Sequence, residues 1–200
     1  MVGKLWTEKT TNKEAFKTVL SRLWRTIGNV VFKEIQENLW LFEFSDAVDK
    51  QRVLAGRPWA FDRQALIIND FDGKTPPSQM IFTSTPIWIQ VHDMPLLCMS
   101  KAVGTKIGES LGTPEDIDLA GDGASWGRRL CIRVCIDLSV PLEHGRALHL
   151  GGHSSWVLFR YEKLPMFCFY CGRVIHGRVG CPQKQDTRIH VAEDKKQWGV

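Results

Sequence analysis

The sequence predicts an α+β protein made of two mixed units and a small metal-binding module near the C-terminus. Helical and strand-like patterns alternate over residues 1–70, and a second such stretch covers residues 87–164. A cluster of cysteine and histidine follows within residues 165–184. Residues 71–86 contain turn-forming dipeptides and are predicted as a linker, and residues 185–200 are predicted as a basic tail.

The first unit is predicted to contain six elements in the order βαββαβ. Thr11 and Glu14 fit a capping box that starts the first helix, and Gly28 is expected to end it. Ser45 is the expected N-cap of a short second helix. The order predicts a ferredoxin-like or RRM-like unit. Its strands are expected at Val2–Trp6, Val30–Ile35, Leu39–Phe44 and Trp59–Ile68.

Three aromatic residues, Trp40, Phe42 and Phe44, share one side of the strand at Leu39–Phe44. Burial in the core is the favoured interpretation. A row of rings that stacks nucleic-acid bases is the alternative, but the unit lacks the aromatic signature of RNA-recognition motifs.

The second unit is predicted to be smaller and also mixed. Its clearest strand is Leu130–Leu138, where apolar residues alternate strictly with Cys, Arg and Asp. The remaining elements are a strand at Ile87–Val91, a helix over Met99–Leu111, a loop over Ala120–Gly127 and a strand over Trp156–Glu162.

The positive charge of the chain is concentrated at its C-terminal end. The chain has 26 basic and 22 acidic residues, and residues 156–200 hold eight of the basic and four of the acidic ones. The whole excess of +4 therefore lies beside the cysteine cluster. A partner with phosphate groups suits this distribution, and a merely solvated tail is the alternative.

The composition indicates an intracellular protein. No apolar run reaches the roughly 18 residues of a membrane span, and the N-terminus lacks the apolar stretch of a signal peptide. We therefore expect the nucleus or cytoplasm, no secretion and no membrane contact. Because thiols stay reduced in these compartments, clustered cysteines indicate metal ligands before disulfides.

Four side chains form the predicted metal site: Cys168, Cys171, His176 and Cys181, with the spacing C-x2-C-x4-H-x4-C. Three thiolates and one imidazole satisfy the tetrahedral shell of zinc and leave no position for an activated water. One structural zinc ion is therefore expected. So short a segment cannot bury a core, so zinc must supply its folding free energy. Chance spacing and a regulatory disulfide are the alternatives.

This spacing resembles the zinc knuckle of retroviral and retrotransposon Gag-like proteins. Together with Tyr161–Cys168, it more specifically resembles a plant family related to LINE-type retrotransposons. In that family a domain of unknown function precedes a CCHC-type knuckle. Further similar motifs are Gly3–Leu5, Gly56–Trp59 with Phe61, Trp88–Val91 with Pro95, and Arg133 with Asp137. The resemblance implies a nucleic-acid-binding protein of retrotransposon-Gag type. Since relatives often continue past the Gln-Trp-Gly at 197–199, a truncated element copy is one interpretation.

The chain departs from this family at two positions of the knuckle. Ile175 stands where the family usually has glycine before the histidine, and a β-branched residue would strain any positive φ there. We therefore expect a somewhat lower zinc affinity. Only Val179 could serve as the second large apolar residue that knuckles often have after the histidine.

The knuckle is expected to hold single-stranded RNA or DNA. A zinc-fixed loop would present Phe169, helped by Tyr170, for stacking against an unpaired base, and nearby cations would contact phosphates. The expected cations are Lys163, Arg173, Arg178 and Lys184. Packing of Phe169 on the preceding strand is the alternative.

The other candidate residues favour structural roles. Cys98, Cys131 and Cys135 lack a partner at ligand spacing and are expected to be inert thiols. His92 beside Asp93 is expected to be a turn histidine rather than half of an acid/base pair. Three further histidines are expected in loops: His144, His149 and His153.

The function favoured by these observations is non-catalytic nucleic-acid binding, with self-association as a further possibility for the α/β unit. The main rival is a protein-interaction adaptor whose knuckle binds a protein partner. An enzyme is not expected, because the zinc shell would be closed and no Walker loop, G-x-S-x-G or H-E-x-x-H motif is found.

Overall fold

The computed structural model divides the chain into two compact units, Met1–Thr85 and Pro86–Val200. The residues that the structure describes are 1–7, 9–71, 73–76, 79–118, 129–150, 152–176 and 181. The predicted loop Ala120–Gly127 and basic tail 185–200 lie outside them. Each unit contains a five-stranded antiparallel sheet, so the predicted mixed α+β class is confirmed.

The described residues of the first unit form five strands and two α-helices, with sheet order β2-β3-β1-β5-β4. The single strand expected at Trp59–Ile68 is in fact a hairpin of two strands that turns at Asp62 and Arg63. The ferredoxin-like or RRM-like layout stays a prediction. The elements are β1 Val2–Leu5, α1 Lys13–Trp24, β2 Val30–Gln36, β3 Leu39–Phe44, α2 Ala47–Ala55, β4 Trp59–Phe61 and β5 Gln64–Asn69.

The core of this unit is largely aromatic. Phe16 of α1 stacks on Trp40 of β3 with ring centroids 4.7 Å apart, and Trp24 contacts Phe42 edge to face. Trp40 and Phe42 are each only 1% exposed, and Phe44 packs against the same cluster. The aromatic row of β3 is therefore core and not a platform for bases.

The helix ends differ from the predicted ones by one to four residues. Asn12 caps α1, since its side chain accepts a hydrogen bond from the Ala15 N–H at 3.0 Å. Thr11 instead donates its hydroxyl to Asn38, and the helix ends at Trp24. Asp46 rather than Ser45 caps α2. Both corrections follow from the local competition between neighbouring capping residues.

Asp49 is a buried carboxylate that no sequence pattern singled out. Its Oδ2 accepts hydrogen bonds from the backbone N–H groups of Ile27 and Gly28, each at 2.8 Å. Its Oδ1 pairs with Arg52 at 2.7 Å. Gly28 is thus tied to α2 by this carboxylate and does not end α1.

Where the structure describes it, the second unit has five strands in the order β7-β8-β6-β10-β9, one α-helix and a short 3-10 helix at Leu96–Cys98. The helix, α3, lies on the side of β8 where Leu130, Ile132 and Val134 are buried; a Cβ at Gly104 would already touch Leu130 and Ile132. The elements are β6 Ser84–His92, α3 Lys101–Leu111, β7 Thr113–Asp118, β8 Arg129–Asp137, β9 Gly145–Leu150 and β10 His153–Tyr161.

Two strands of this sheet, β7 and β9, were not expected from the sequence. Both are edge strands, and β7 contains Pro114 and three acidic residues, which a strand pattern does not favour but an edge tolerates. His149 and His153 lie in strands, so their expected loop positions are wrong, and His92 ends β6 instead of lying in a turn. None of the described helices is long and apolar enough to cross a membrane.

Candidate zinc site

The four predicted ligands come together in the segment that follows β10 in the chain. The ligand atoms of Cys168, Cys171, His176 and Cys181 all lie within 4.8 Å of one another. The Sγ of Cys171 lies 3.6 Å from the Nε2 of His176. Zinc–sulfur bonds of about 2.3 Å place ligand atoms about 3.8 Å apart in a tetrahedron, so the cluster has nearly the size that zinc requires.

A tight turn presents the first two sulfurs. The Gly172 N–H donates to the Cys168 carbonyl at 2.8 Å, and the Cys168 N–H donates to the Arg173 carbonyl, also at 2.8 Å. Gly172 has a φ of 71°, in the left-handed region that favours glycine. The two-residue gap between the cysteines is therefore closed by backbone hydrogen bonds that make both sulfurs point to one place.

Among the described residues, three backbone hydrogen bonds join the knuckle to the segment between β8 and β9. The carbonyl of Leu138, just after β8, accepts from the N–H groups of Val174 at 3.2 Å and Ile175 at 2.9 Å. The Leu142 N–H donates to the Gly172 carbonyl at 3.0 Å. Leu138 and Leu142 are buried, so these bonds lie at an apolar contact. The orientation of the knuckle relative to the second sheet is thereby defined.

Ile175 has a role that the sequence did not reveal. The expected strain is wrong, because Ile175 is not among the residues with positive φ. Its side chain is 5% exposed, and its N–H bonds to Leu138. The backbone N–H of Ile175 therefore joins the knuckle to Leu138, its apolar side chain is buried, and nothing in its backbone conformation opposes zinc binding.

The electrostatics of the cluster suit a bound cation. Burial raises the pKa of the Cys171 thiol to about 11, and the nearby thiols of Cys181 and Cys168 act in the same direction. The backbone of Arg173 hydrogen-bonds to the Cys171 sulfur and lowers the pKa. Such a crowded set of thiols is unfavourable as free thiolates, and a divalent cation among them reverses that balance.

The remaining cysteines and histidines do not form a second site in the parts of the chain that the structure covers. None of the six cysteines is in a disulfide; Cys98 is buried, and Cys131 and Cys135 are half-buried. The Nε2 of His92 lies 3.1 Å from the Oε1 of Gln90, and no acid/base pair with Asp93 is formed. The three thiols therefore lie outside the metal cluster, and the inert role expected for them stays a prediction.

The aromatic residues between the ligands are exposed. Phe169 is 69% and Tyr170 54% exposed, and Met166 beside them is 50% exposed. The ring of Phe169 contacts only Phe167 among the described aromatic pairs, with centroids 4.8 Å apart. The knuckle therefore presents a small apolar surface, Met166, Phe169 and Tyr170, next to the metal site.

The predicted cations divide into two groups. Lys163 is exposed, and Arg173 is half-buried, with an Nε that is buried and has no hydrogen-bond partner among the described atoms. Arg178 and Lys184 lie outside the described residues.

Comparison with known proteins agrees with this geometry. Residues 136–183 match the family model of a zinc knuckle, and residues 1–79 match that of a domain of unknown function, DUF4283. The zinc-knuckle match begins before Leu138, so it includes the sheet residues to which the knuckle is fastened. No solved structure matches the chain.

A curated relative is an uncharacterized protein of Arabidopsis thaliana. It is 23% identical to this chain over 144 residues, which cover 72% of the chain and 45% of that protein. The chain thus spans a little under half the length of the relative. The predicted combination of a domain of unknown function with a CCHC-type zinc knuckle is confirmed, and the four ligands are placed to hold one structural zinc ion.

Proposed function

We propose that the knuckle binds single-stranded nucleic acid, RNA or DNA, by stacking a base on Phe169. The single observation that supports this most is a large aromatic ring, 69% exposed, on a turn between two metal ligands. A ring held this way loses little conformational freedom on binding, and base–aromatic stacking contributes about 1–3 kcal/mol per base. Tyr170, 54% exposed, would extend the surface for a neighbouring base.

Cations around Phe169 would hold the phosphate backbone. Lys163 is an exposed ammonium and Arg173 is half-buried, and the enclosed Nε of Arg173 itself is not accessible to a phosphate. Arg178 and Lys184 belong to the same proposal from the sequence. Each phosphate contact to a single strand lowers the slope of log K against log salt by about 0.7. Binding should therefore weaken markedly as salt rises.

The proposed role is non-catalytic. Four protein ligands would complete a tetrahedral zinc shell, so the ion would fold the loop rather than activate water. The ligand thiols require a reducing compartment, which favours the nucleus or cytoplasm. A retrotransposon-Gag type of role, with self-association through the α/β units, is the wider context that we propose.

The test is a titration of the full-length, zinc-loaded protein with fluorescent single-stranded RNA and DNA at low salt. Phe169→Ala should weaken binding about 5- to 150-fold, the equivalent of one stacked base. Phe169→Tyr should keep most of the affinity, because the ring is retained. Leu97→Ala is the matched control, since Leu97 is an 89% exposed apolar residue in the 3-10 helix.

The stacking model fails if Phe169→Ala binds as tightly as the unaltered protein while its zinc content is stoichiometric. Absence of nucleic-acid binding at low salt would favour the second candidate function, an adaptor for a protein partner. The observation behind that candidate is the apolar surface of Met166, Phe169 and Tyr170, whose size would also suit a small hydrophobic anchor.

A further inference from the structure

The second sheet has one face covered by α3 and one face that no helix covers in the part of this unit that the structure describes. Alternation along the strands divides the residues between them: Leu130, Ile132 and Val134 lie under α3, and the residues between them face the other way. We call the uncovered side the open face. Its members on the three central strands are Cys131, Arg133, Cys135, Trp88, Gln90, His92, Trp156, Leu158 and Arg160.

Trp156 is the most exposed large hydrophobic side chain of this face. It lies within β10, opposite Ala147 of β9, and is 52% exposed. Leu158, the next residue on the same face, is 36% exposed. An indole in the middle of a strand would normally be buried by a covering element, as Trp40 is in the first unit. Here it lies on the surface of a regular sheet.

The surroundings of Trp156 are basic and polar. Arg160 follows at the same side of β10, opposite Gln90, and is exposed. Burial lowers the pKa of His92, the positive charges of Arg160 and Arg129 lower it further, and the carboxylate of Asp93 opposes them. Arg133 lies over the ring of Trp88 with its Cζ 5.8 Å from the centroid.

Acidic groups of this face lie mainly towards its other edge, where Asp116 and Asp118 of β7 are exposed opposite Arg133 and Cys131. Asp137 accepts hydrogen bonds from the N–H and hydroxyl of Ser139, and Glu162 accepts one from Gln90. Glu115 of β7 pairs with Arg133. The part of the open face around Trp156, Leu158 and Arg160 therefore combines an exposed ring with positive charge, which is the chemistry of a base-stacking surface.

We propose that the open face is a second contact surface for the same single strand that the knuckle binds. Trp156 stacks a base, and Arg160 contacts an adjacent phosphate. The inference rests on the proposed function of the knuckle. The two surfaces belong to one body, because the knuckle is hydrogen-bonded to Leu138, the residue that directly follows β8 of this sheet.

A flat strand surface fits an unpaired chain better than a duplex or a protein. Successive bases can lie on rings that project from a sheet, whereas the bases of a duplex are stacked on each other and do not present their faces. The apolar area of Trp156 and Leu158 is interrupted by Arg160 and His92, which suits a polyanion more than a hydrophobic protein surface.

The experiment compares two lengths of single-stranded RNA on the full-length, zinc-loaded protein. A short oligonucleotide of about five nucleotides reaches one surface, and one of about fifteen reaches both, given the usual range of single-strand site sizes. Trp156→Ala should weaken binding of the long strand about 5- to 150-fold and leave the short strand unchanged. Phe169→Ala should weaken both, and Trp156→Phe should largely restore the long strand.

Charge variants provide a matched pair. Arg160→Gln should make the salt slope for the long strand shallower by about 0.7, because one phosphate contact is lost. Arg146→Gln makes the same change on the neighbouring strand, but Arg146 lies opposite Val157 and therefore faces away from Trp156. Arg146→Gln should therefore leave the salt slope for the long strand unchanged.

Three outcomes separate the possibilities. If Trp156→Ala binds both lengths normally while Phe169→Ala does not, the open-face proposal is overturned and the knuckle function stands. If the unaltered protein binds neither length, the knuckle function fails, and the open-face proposal fails with it. If Trp156→Ala leaves RNA binding intact but converts a dimer to a monomer in sedimentation, the face binds a second copy and the proposal is overturned.

Discussion

The two units differ in the exposure of large aromatic side chains. In the first unit, Trp40 and Phe42 are 1% exposed and pack against the rings of α1. In the second unit, Trp156 and Phe169 are 52% and 69% exposed. Trp40, Phe42 and Trp156 lie in strands, and Phe169 lies in a turn between two metal ligands. Whether an aromatic residue is core or surface is therefore decided by the element that covers it.

The units also differ in what stabilises them. The first unit has one continuous apolar cluster, from Met1 to Ile68, that needs no ion. The C-terminal part of the second unit has, among its described residues, the buried Ile175, three backbone hydrogen bonds to the segment between β8 and β9, and a four-ligand cluster. Hydrophobic burial therefore stabilises one region of the chain and metal binding another. Each region should unfold under a different perturbation.

Metal removal should have the largest effect and should be confined to the second unit. Chelation, or the change Cys171→Ser, should remove a contribution of about 10–16 kcal/mol to the folding of the knuckle. The Leu142 N–H, which bonds to Gly172, should lose its protection from hydrogen exchange, while the amides of β1, β3 and β5 keep theirs. Zinc analysis and hydrogen exchange measure both quantities.

Cys131→Ser is the control for this experiment, because Cys131 is half-buried but lies on β8 outside the cluster. It should retain one zinc per chain. Stoichiometric zinc in Cys171→Ser would contradict the four-ligand site, and loss of protection in β1 would contradict the separation of the two regions.

Core truncation should have the next largest effect, this time in the first unit. Trp40→Ala leaves a cavity beside Phe16 and should cost about 3–5 kcal/mol of unfolding free energy. Trp156→Ala, at an exposed site, should change it by no more than about 0.5 kcal/mol. Urea denaturation of both variants measures the difference.

Trp40→Phe refines this result. The Nε1 of Trp40 has no hydrogen-bond partner among the described atoms, so replacement by another ring sacrifices volume but no hydrogen bond. Its cost should lie well below that of Trp40→Ala. Equal losses at Trp40 and Trp156 would show that the contrast between buried and exposed rings is wrong.

The buried carboxylate of the first unit should have an intermediate effect. Asp49→Asn weakens the bonds that tie Ile27 and Gly28 to α2, and we expect a loss of about 1–3 kcal/mol in unfolding free energy. Glu43→Gln is the matched control, because Glu43 is an exposed carboxylate paired with Lys33 and should cost about 1 kcal/mol at most. The midpoint temperatures of thermal unfolding of the two variants should therefore differ clearly.

The smallest effect concerns the open face. Since the charge of Arg160 lowers the pKa of His92, Arg160→Gln should raise that pKa. Protonation of His92 would then begin at a higher pH than in the unaltered protein. A pH titration of the His92 ring followed by NMR measures this, with Arg146→Gln as the control. If the pKa of His92 were unchanged in Arg160→Gln, Arg160 would not lie beside His92 on the open face.

Local patterns predicted most of the regular structure. The alternation in Leu130–Leu138 and the helical spacing of Phe16, Leu20 and Trp24 were confirmed, because both patterns arise from burying one side of an element. The edge strands β7 and β9 were missed, because an edge strand needs little apolar alternation. Helix ends shifted because Asn12 and Asp46 were equally good caps beside the predicted ones.

The sequence by itself determined the ligand set, since four metal ligands at fixed spacing require only a short loop to converge on one ion. Tertiary structure alone decided that Ile175 fastens this loop to Leu138, that Asp49 is buried and that Trp156 is not. The physical reason is the distance along the sequence over which each feature is determined. Ligand spacing is a property of a few adjacent residues, whereas burial depends on which distant segment packs against a side chain.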